Sequence, residues 1–117
     1  AWAVLPLVFG ENFLKRNEKM LENIVKAIVR RNRKEALEAH LNAMADYPPL
    51  SHIAETIRAP VIILSGEEDP LVNGEYADEL AELCSGRHER VPDTGHSIPA
   101  EVPQLFNQIL TAFLFDS

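Results

Sequence analysis

Through most of this chain apolar residues recur every three or four positions, but at Val61, Ile62, Ile63 and Leu64 they stand together. Pro60 precedes that run and Gly66 stops it. A short unbroken apolar run between breakers predicts a strand buried on both faces, and so a parallel sheet. A second short strand is predicted near 88–91. Between them Tyr76, Ala77, Leu80, Ala81, Leu83 and Cys84 mark the packing face of a helix over about 74–84. Asn73 is placed to cap its start, and Gly86 to take a left-handed cap at its end. Strand, helix and parallel strand form one βαβ unit with a right-handed crossover. The loops that follow the two strands then leave the same edge of the sheet.

The chain upstream reads as helical. Residues 1–10 look like an irregular apolar approach ending at Gly10. A helix is predicted over 18–31 with Asn17 as N-cap, its stripe including Leu21, Ile24, Val25 and Ile28, and Phe13 and Leu14 extending it backwards. Asn32 and Glu35 have capping-box spacing and predict a second helix over 33–46. Its buried side would hold Ala36, Leu37, His40, Leu41 and Met44, with His40 an interface residue rather than a ligand. Tyr47-Pro48-Pro49 breaks it, and a short helical turn over 51–56 leads to the first strand. Near the other end Pro103 suits a first helical position. Leu105, Phe106, Ile109, Leu110, Phe113 and Leu114 then give a face for the sheet. The change of pattern near Pro48-Pro49 divides a helical segment, 1–50, from an α/β unit, 51–117.

Composition narrows this picture. The 117 residues amount to one domain or less, and 46% hydrophobic with 25% charged residues is an ordinary globular balance. A net charge of -7 argues against nucleic acid or an anionic membrane as partner. The Arg30, Arg31, Arg33, Lys34 cluster suits a helix C-terminus instead. The one cysteine, Cys84, forms no internal disulfide and fits a reducing, cytoplasmic setting. It reads as a small buried hydrophobe. The opening AWAVLPLVF, interrupted by Pro6, falls short of the roughly 20 residues a membrane span needs, and no basic leader marks a signal peptide. An apolar start of this kind is expected to pack on something else, as in a piece of a longer chain.

The candidate chemistry lies in the two loops. Asp69 follows the first strand and His96 the second. A carboxylate beside a histidine orients the ring, fixes its tautomer and stabilises the imidazolium formed in proton transfer. The plainer alternatives are that Asp69-Pro70 is a turn and His96 a loop residue, and spacing alone leaves both open.

Three motifs go further. GEED at 66–69, DTGHS at 93–97 and EVPQLFNQILTAFL at 101–114 resemble the C-terminal end of an α/β-hydrolase. In that family a Gly-x-x-Asp turn bears the triad acid, a Gly-His pair bears the base, and Glu-x-Pro commonly opens the last helix. The likeness spans about 57–115. The helices before it, with Ala43-Met44 and the IRAPV approach, are similar to the cap of smaller esterases, lactonases and haloperoxidase-like members.

The resemblance implies an α/β fold: a partial α/β-hydrolase sheet of two parallel strands with flanking helices, plus an N-terminal helical cap segment. It implies Asp69 as triad acid and His96 as the base that activates a serine. Glu67 and Glu68 fall before the usual acid position, and Ser97 reads as a loop hydrogen-bonder. The implied substrate is an ester, lactone or similar small acyl compound, handled with no metal or organic cofactor. Trp2, Phe9, Phe13, Met44 and Tyr47 become candidates for lining an apolar acyl pocket, or they simply pack cap to body.

The chain also departs from the family. No G-x-S-x-G occurs, and the serines at 51, 65, 85, 97 and 117 lack the strained strand-to-helix turn of a nucleophile. Without nucleophile and oxyanion donors the chain is expected to be inactive alone. The 61–64 strand would present an unpaired apolar edge, which predicts a homodimer through that edge or by exchange of cap helices. The alternative is a non-enzymatic α/β module that binds a partner through the same edge.

Overall fold

The structure, a computed structural model, describes residues 2–115. Helices α1 (Leu5–Val8), α2 (Glu11–Arg16), α3 (Leu21–Arg31), α4 (Lys34–Ala45) and α5 (Ser51–Ala54) precede strand β1 (Ile62–Gly66). Helix α6 (Gly74–Leu83), strand β2 (Arg87–Val91) and helices α7 (Ile98–Glu101) and α8 (Pro103–Phe115) follow. The strands pair in parallel, with Ile63 opposite His88 and Gly66 opposite Val91. This is the α/β arrangement that the apolar run and its breakers predicted, but Ile62, Ile63 and Leu64 are half-buried rather than enclosed on both faces, since two strands leave part of the layer uncovered.

Strand β1 runs on through Ser65 and Gly66 instead of stopping at Leu64. Ser65 does not break it because its hydroxyl finds a partner in His88, 2.7 Å away on β2. Helix α6 begins as predicted, with the Asn73 side chain accepting the Glu75 N–H at 3.1 Å. Its end differs. The left-handed residue is Ser85, at φ 51°, not Gly86. Ser85 N–H donates to Glu82 O at 3.0 Å and Gly86 N–H to Ala81 O at 2.8 Å, the paired bonds of a Schellman closure. Gly86 is small for another reason, since a Cβ there would stand 2.8 Å from Val61 O.

Ala77, Ala81 and Cys84 are the buried face of α6, while Tyr76 and Leu80 are exposed. A two-stranded layer is about one helix wide, too narrow to bury a broad stripe. The same limit applies to α8: Phe106, Ile109 and Phe113 are half-buried, whereas Leu105, Leu110 and Leu114 are exposed.

The upstream segment departs most from expectation. Residues 2–10 are not irregular: a 3-10 turn, Trp2–Val4, leads into α1, whose Leu5 is buried. Pro6 is tolerated in the first turn, where a missing N–H costs nothing. The single helix predicted over 18–31 is a 3-10 turn, Glu18–Met20, followed by α3. Asn17 does not cap it. Its Nδ2 donates back to Phe13 O at 2.8 Å and closes α2. Asn32 likewise donates to Ile28 O at 2.8 Å and closes α3, so α4 starts after Arg33 with no side-chain cap. An asparagine between two helices can serve the carbonyls behind it or the N–H groups ahead; here the carbonyls win both times.

Helix α4 carries no buried residue. Leu37, Leu41 and Met44 are each half exposed or more, so the stripe expected to be buried, His40 included, is open. Among the described residues no helix is long and apolar enough to cross a membrane.

Candidate catalytic site

The loops leaving β1 and β2 are joined by backbone hydrogen bonds. Glu67 N–H donates to Val91 O at 3.0 Å and Glu68 N–H to Thr94 O at 2.9 Å. Asp69 N–H turns back to Gly66 O at 3.2 Å. These bonds bring together residues 27 positions apart in the chain: His96 Nδ1 lies 2.9 Å from Asp69 Oδ2. The other carboxylate oxygen, Oδ1, accepts the N–H groups of Leu71 at 2.8 Å and Val72 at 3.2 Å. The Asp69 side chain is 5% exposed and the imidazole 44%.

Burial pushes the Asp69 pKa up, but the His96 hydrogen bond and the two backbone N–H groups outweigh it. The net effect holds the carboxyl below its ordinary 3.8. An ionised carboxylate only accepts, so His96 Nδ1 carries the proton and Nε2 is the basic nitrogen. That is the tautomer a general base needs.

The rest of the His96 loop is held by a carboxylate that the sequence did not single out. Glu101 is buried, and its oxygens accept the N–H groups of Gly10 at 3.0 Å, Gly95 at 3.1 Å and Ser97 at 3.3 Å. Glu68 works beside it, accepting the Glu11 N–H at 2.7 Å at the start of α2. Glu67 is exposed. The one local hint to Glu101 was its place in the Glu-x-Pro motif. The left-handed residue of the His96 loop is Asp93, at φ 53°. Gly95 and Gly66 are instead points of backbone contact. A Cβ on Gly66 would lie 2.1 Å from Gly95 O, and one on Gly95 would lie 2.5 Å from Gly10 N.

A second Ser–His–Asp chain lies between α6 and the strands. The Ser65 hydroxyl meets His88 Nε2 at 2.7 Å, His88 Nδ1 meets Asp78 Oδ1 at 2.7 Å, and Arg90 holds the other Asp78 oxygen at 2.5 Å. The hydrogen bonds from His88 and Arg90 lower the Asp78 pKa. Ser65 is buried within a strand rather than raised on a strand-to-helix turn.

A cavity of about 230 Å³ touches both Asp69 and His96, walled by Ile63, Leu64, Val72, Tyr76, Leu80 and Ile98. None of the five aromatic and methionine candidates lines it. Trp2, Met44 and Tyr47 are exposed, and Phe9 stacks on Phe13 with ring centres 4.6 Å apart. Among the described residues no three His, Cys, Asp or Glu side chains are grouped to hold a metal ion.

No protein-family model matches the chain. It is 35% identical over 86 residues to a Bacillus subtilis (strain 168) protein assigned as 2-succinyl-6-hydroxy-2,4-cyclohexadiene-1-carboxylate synthase. The aligned part is 72% of this chain and 31% of that protein, so the chain spans about a third of the relative's length.

Proposed function

From a distant relationship to an α/β-hydrolase fold enzyme, matched by two parallel strands with flanking helices, we propose that this chain supplies the acid–base pair of a serine-type acyl hydrolase. The reading is carried by the 2.9 Å contact between Asp69 Oδ2 and His96 Nδ1 at the edge where both strands end. In this reading Asp69 holds the ring. His96 Nε2 takes the proton of a serine hydroxyl as that oxygen attacks an ester or lactone carbonyl, then returns it to the leaving group. The serine and the oxyanion donors come from sequence that these 117 residues do not contain. Losing one oxyanion donor alone costs about 10²–10³-fold in rate, so the chain by itself is inactive. The apolar cavity beside the pair suits the hydrocarbon part of an acyl substrate.

The similarity to the Bacillus protein favours a second reading, in which the same pair serves a synthase whose product is a cyclic carboxylate. In either reading the free edge of β1 is covered by another strand, from a second copy of the chain or from the remainder of the sheet.

The test extends the chain upstream to include a strand and a G-x-S-x-G turn, then applies a fluorophosphonate probe. Labelling is expected in the extended protein, absent from the 117-residue chain, and lost in His96→Ala. Labelling that survives His96→Ala at full rate overturns the assignment of His96. An upstream reading frame with no nucleophile turn favours the binding module instead.

A further inference from the structure

Glu101 sits away from the proton-transfer path, yet it accepts three backbone N–H groups around it. The residue is 7% exposed, and both oxygens act as acceptors. Two of its three donors, Gly95 N–H and Ser97 N–H, belong to the residues on either side of His96. One rigid group thus holds the peptide plane after His96 and the plane ahead of Gly95, and so brackets the backbone from which the His96 Cβ leaves the loop. The imidazole is then aimed before it meets Asp69. The third donor, Gly10 N–H, is 91 positions away in the chain and belongs to the turn between α1 and α2. Ser97 N–H also reaches Val8 O at 3.0 Å, at the end of α1. The opening helical segment is thus bonded to the histidine loop at two points.

We propose that Glu101 is the positioning residue of this site, holding the N–H groups of Gly95 and Ser97 on either side of His96 so that Nδ1 faces Asp69, with the α1–α2 turn as its third anchor. The proposal rests on reading Asp69 and His96 as the working pair, but its readout is the imidazole itself and needs no turnover. Glu101→Gln keeps the size of the side chain but offers one acceptor oxygen and an amide donor. It cannot serve three N–H groups, so at least one of the bonds to Gly95 and Ser97 is lost.

The experiment uses the 117-residue chain labelled with ¹⁵N-histidine and followed by long-range ¹H–¹⁵N correlation, His96 being assigned from its loss in His96→Gln. The unsubstituted chain is expected to show the Nδ1-protonated tautomer with a hydrogen-bonded, far-downfield Nδ1 proton. Glu101→Gln is expected to lose that resonance, or to speed its solvent exchange by about tenfold or more, as one buried hydrogen bond is broken. Glu101→Asp keeps the charge and should recover part of the signal; it carries the comparison where Glu101→Gln does not fold. Asp78→Asn loosens α6 without touching the His96 loop and should leave the His96 signal as it is. A folded Glu101→Gln chain with an unchanged His96 spectrum overturns the proposal, as does an equal loss in Asp78→Asn. If the Asp69–His96 reading fails instead, labelling of the extended protein survives His96→Ala while the Glu101 dependence of the imidazole persists.

Discussion

The Ser65 hydroxyl and His88 Nε2 lie 2.7 Å apart across the two strands, and His88 Nδ1 is bonded in turn to Asp78. These residues have the order and the spacing of a hydrolytic triad without its setting. With Asp78 ionised, Nδ1 donates, so Nε2 accepts the Ser65 proton. The His88 side chain is 5% exposed, leaving little water to replace that bond. Ser65→Ala should therefore strand a buried acceptor and cost about 1–3 kcal/mol, read from urea unfolding. The 117-residue chain should take no fluorophosphonate label at Ser65. Label at that serine would recast the cluster as a reactive site.

Gly66 is where the β1 exit and the His96 loop touch. Gly66→Ala places a methyl group 2.1 Å from Gly95 O and 2.3 Å from Thr94 O, both backbone atoms. The loops must part, at a cost of about 1–3 kcal/mol or more, and His96 should lose its hydrogen bond to Asp69. Denaturant midpoints and the imidazole spectrum check both effects. An alanine variant as stable as the parent, with its His96 signal in place, would show that the loops yield without separating.

The acid limb of stability follows from two depressed carboxyls. Asp69 and Asp78 both lie below the ordinary 3.8 in the folded chain. Folding thus favours their charged forms. Their contribution is complete above pH 3.8 and is lost as pH falls through the lowered folded values. Asp78 is half exposed, so its share is screened by water and salt. Asp69 should dominate. Unfolding midpoints measured from pH 7 downward should stay level above 3.8, apart from other groups, and drop below it. Asp69→Asn should start lower and fall less steeply. An identical acid limb in that variant would remove Asp69 from the account.

Strand β1 pairs with β2 on one side, and among the described residues no strand covers its other side. Such an edge favours strand addition. We expect sedimentation equilibrium to show concentration-dependent dimerisation, weakened in Leu64→Lys, which sets a charge beside the free edge. A monomer at every concentration would leave the edge to the remainder of a larger sheet.

Local pattern determined a good deal of this protein. The apolar run before Gly66, the Asn73 cap and Pro103 each act on neighbours a few residues away, so the parallel strands, α6 and α8 were legible. The arrival of Asp69 and His96 at one edge followed as well, because a parallel βαβ unit delivers both loops there; their contact came from the loop bonds of the folded chain. Choices between remote partners were decided by the tertiary structure. Asn17 and Asn32 could cap forwards or backwards, and a local window does not say which backbone groups are left unpaired. The stripe of α4 declares a face that wants cover without naming what covers it. Glu101 became a buried clamp when Gly10 joined Gly95 and Ser97 on it from the far end of the chain. Hydrogen bonds between residues as far as 91 positions apart depend on how segments pack, and packing is a property of the whole fold.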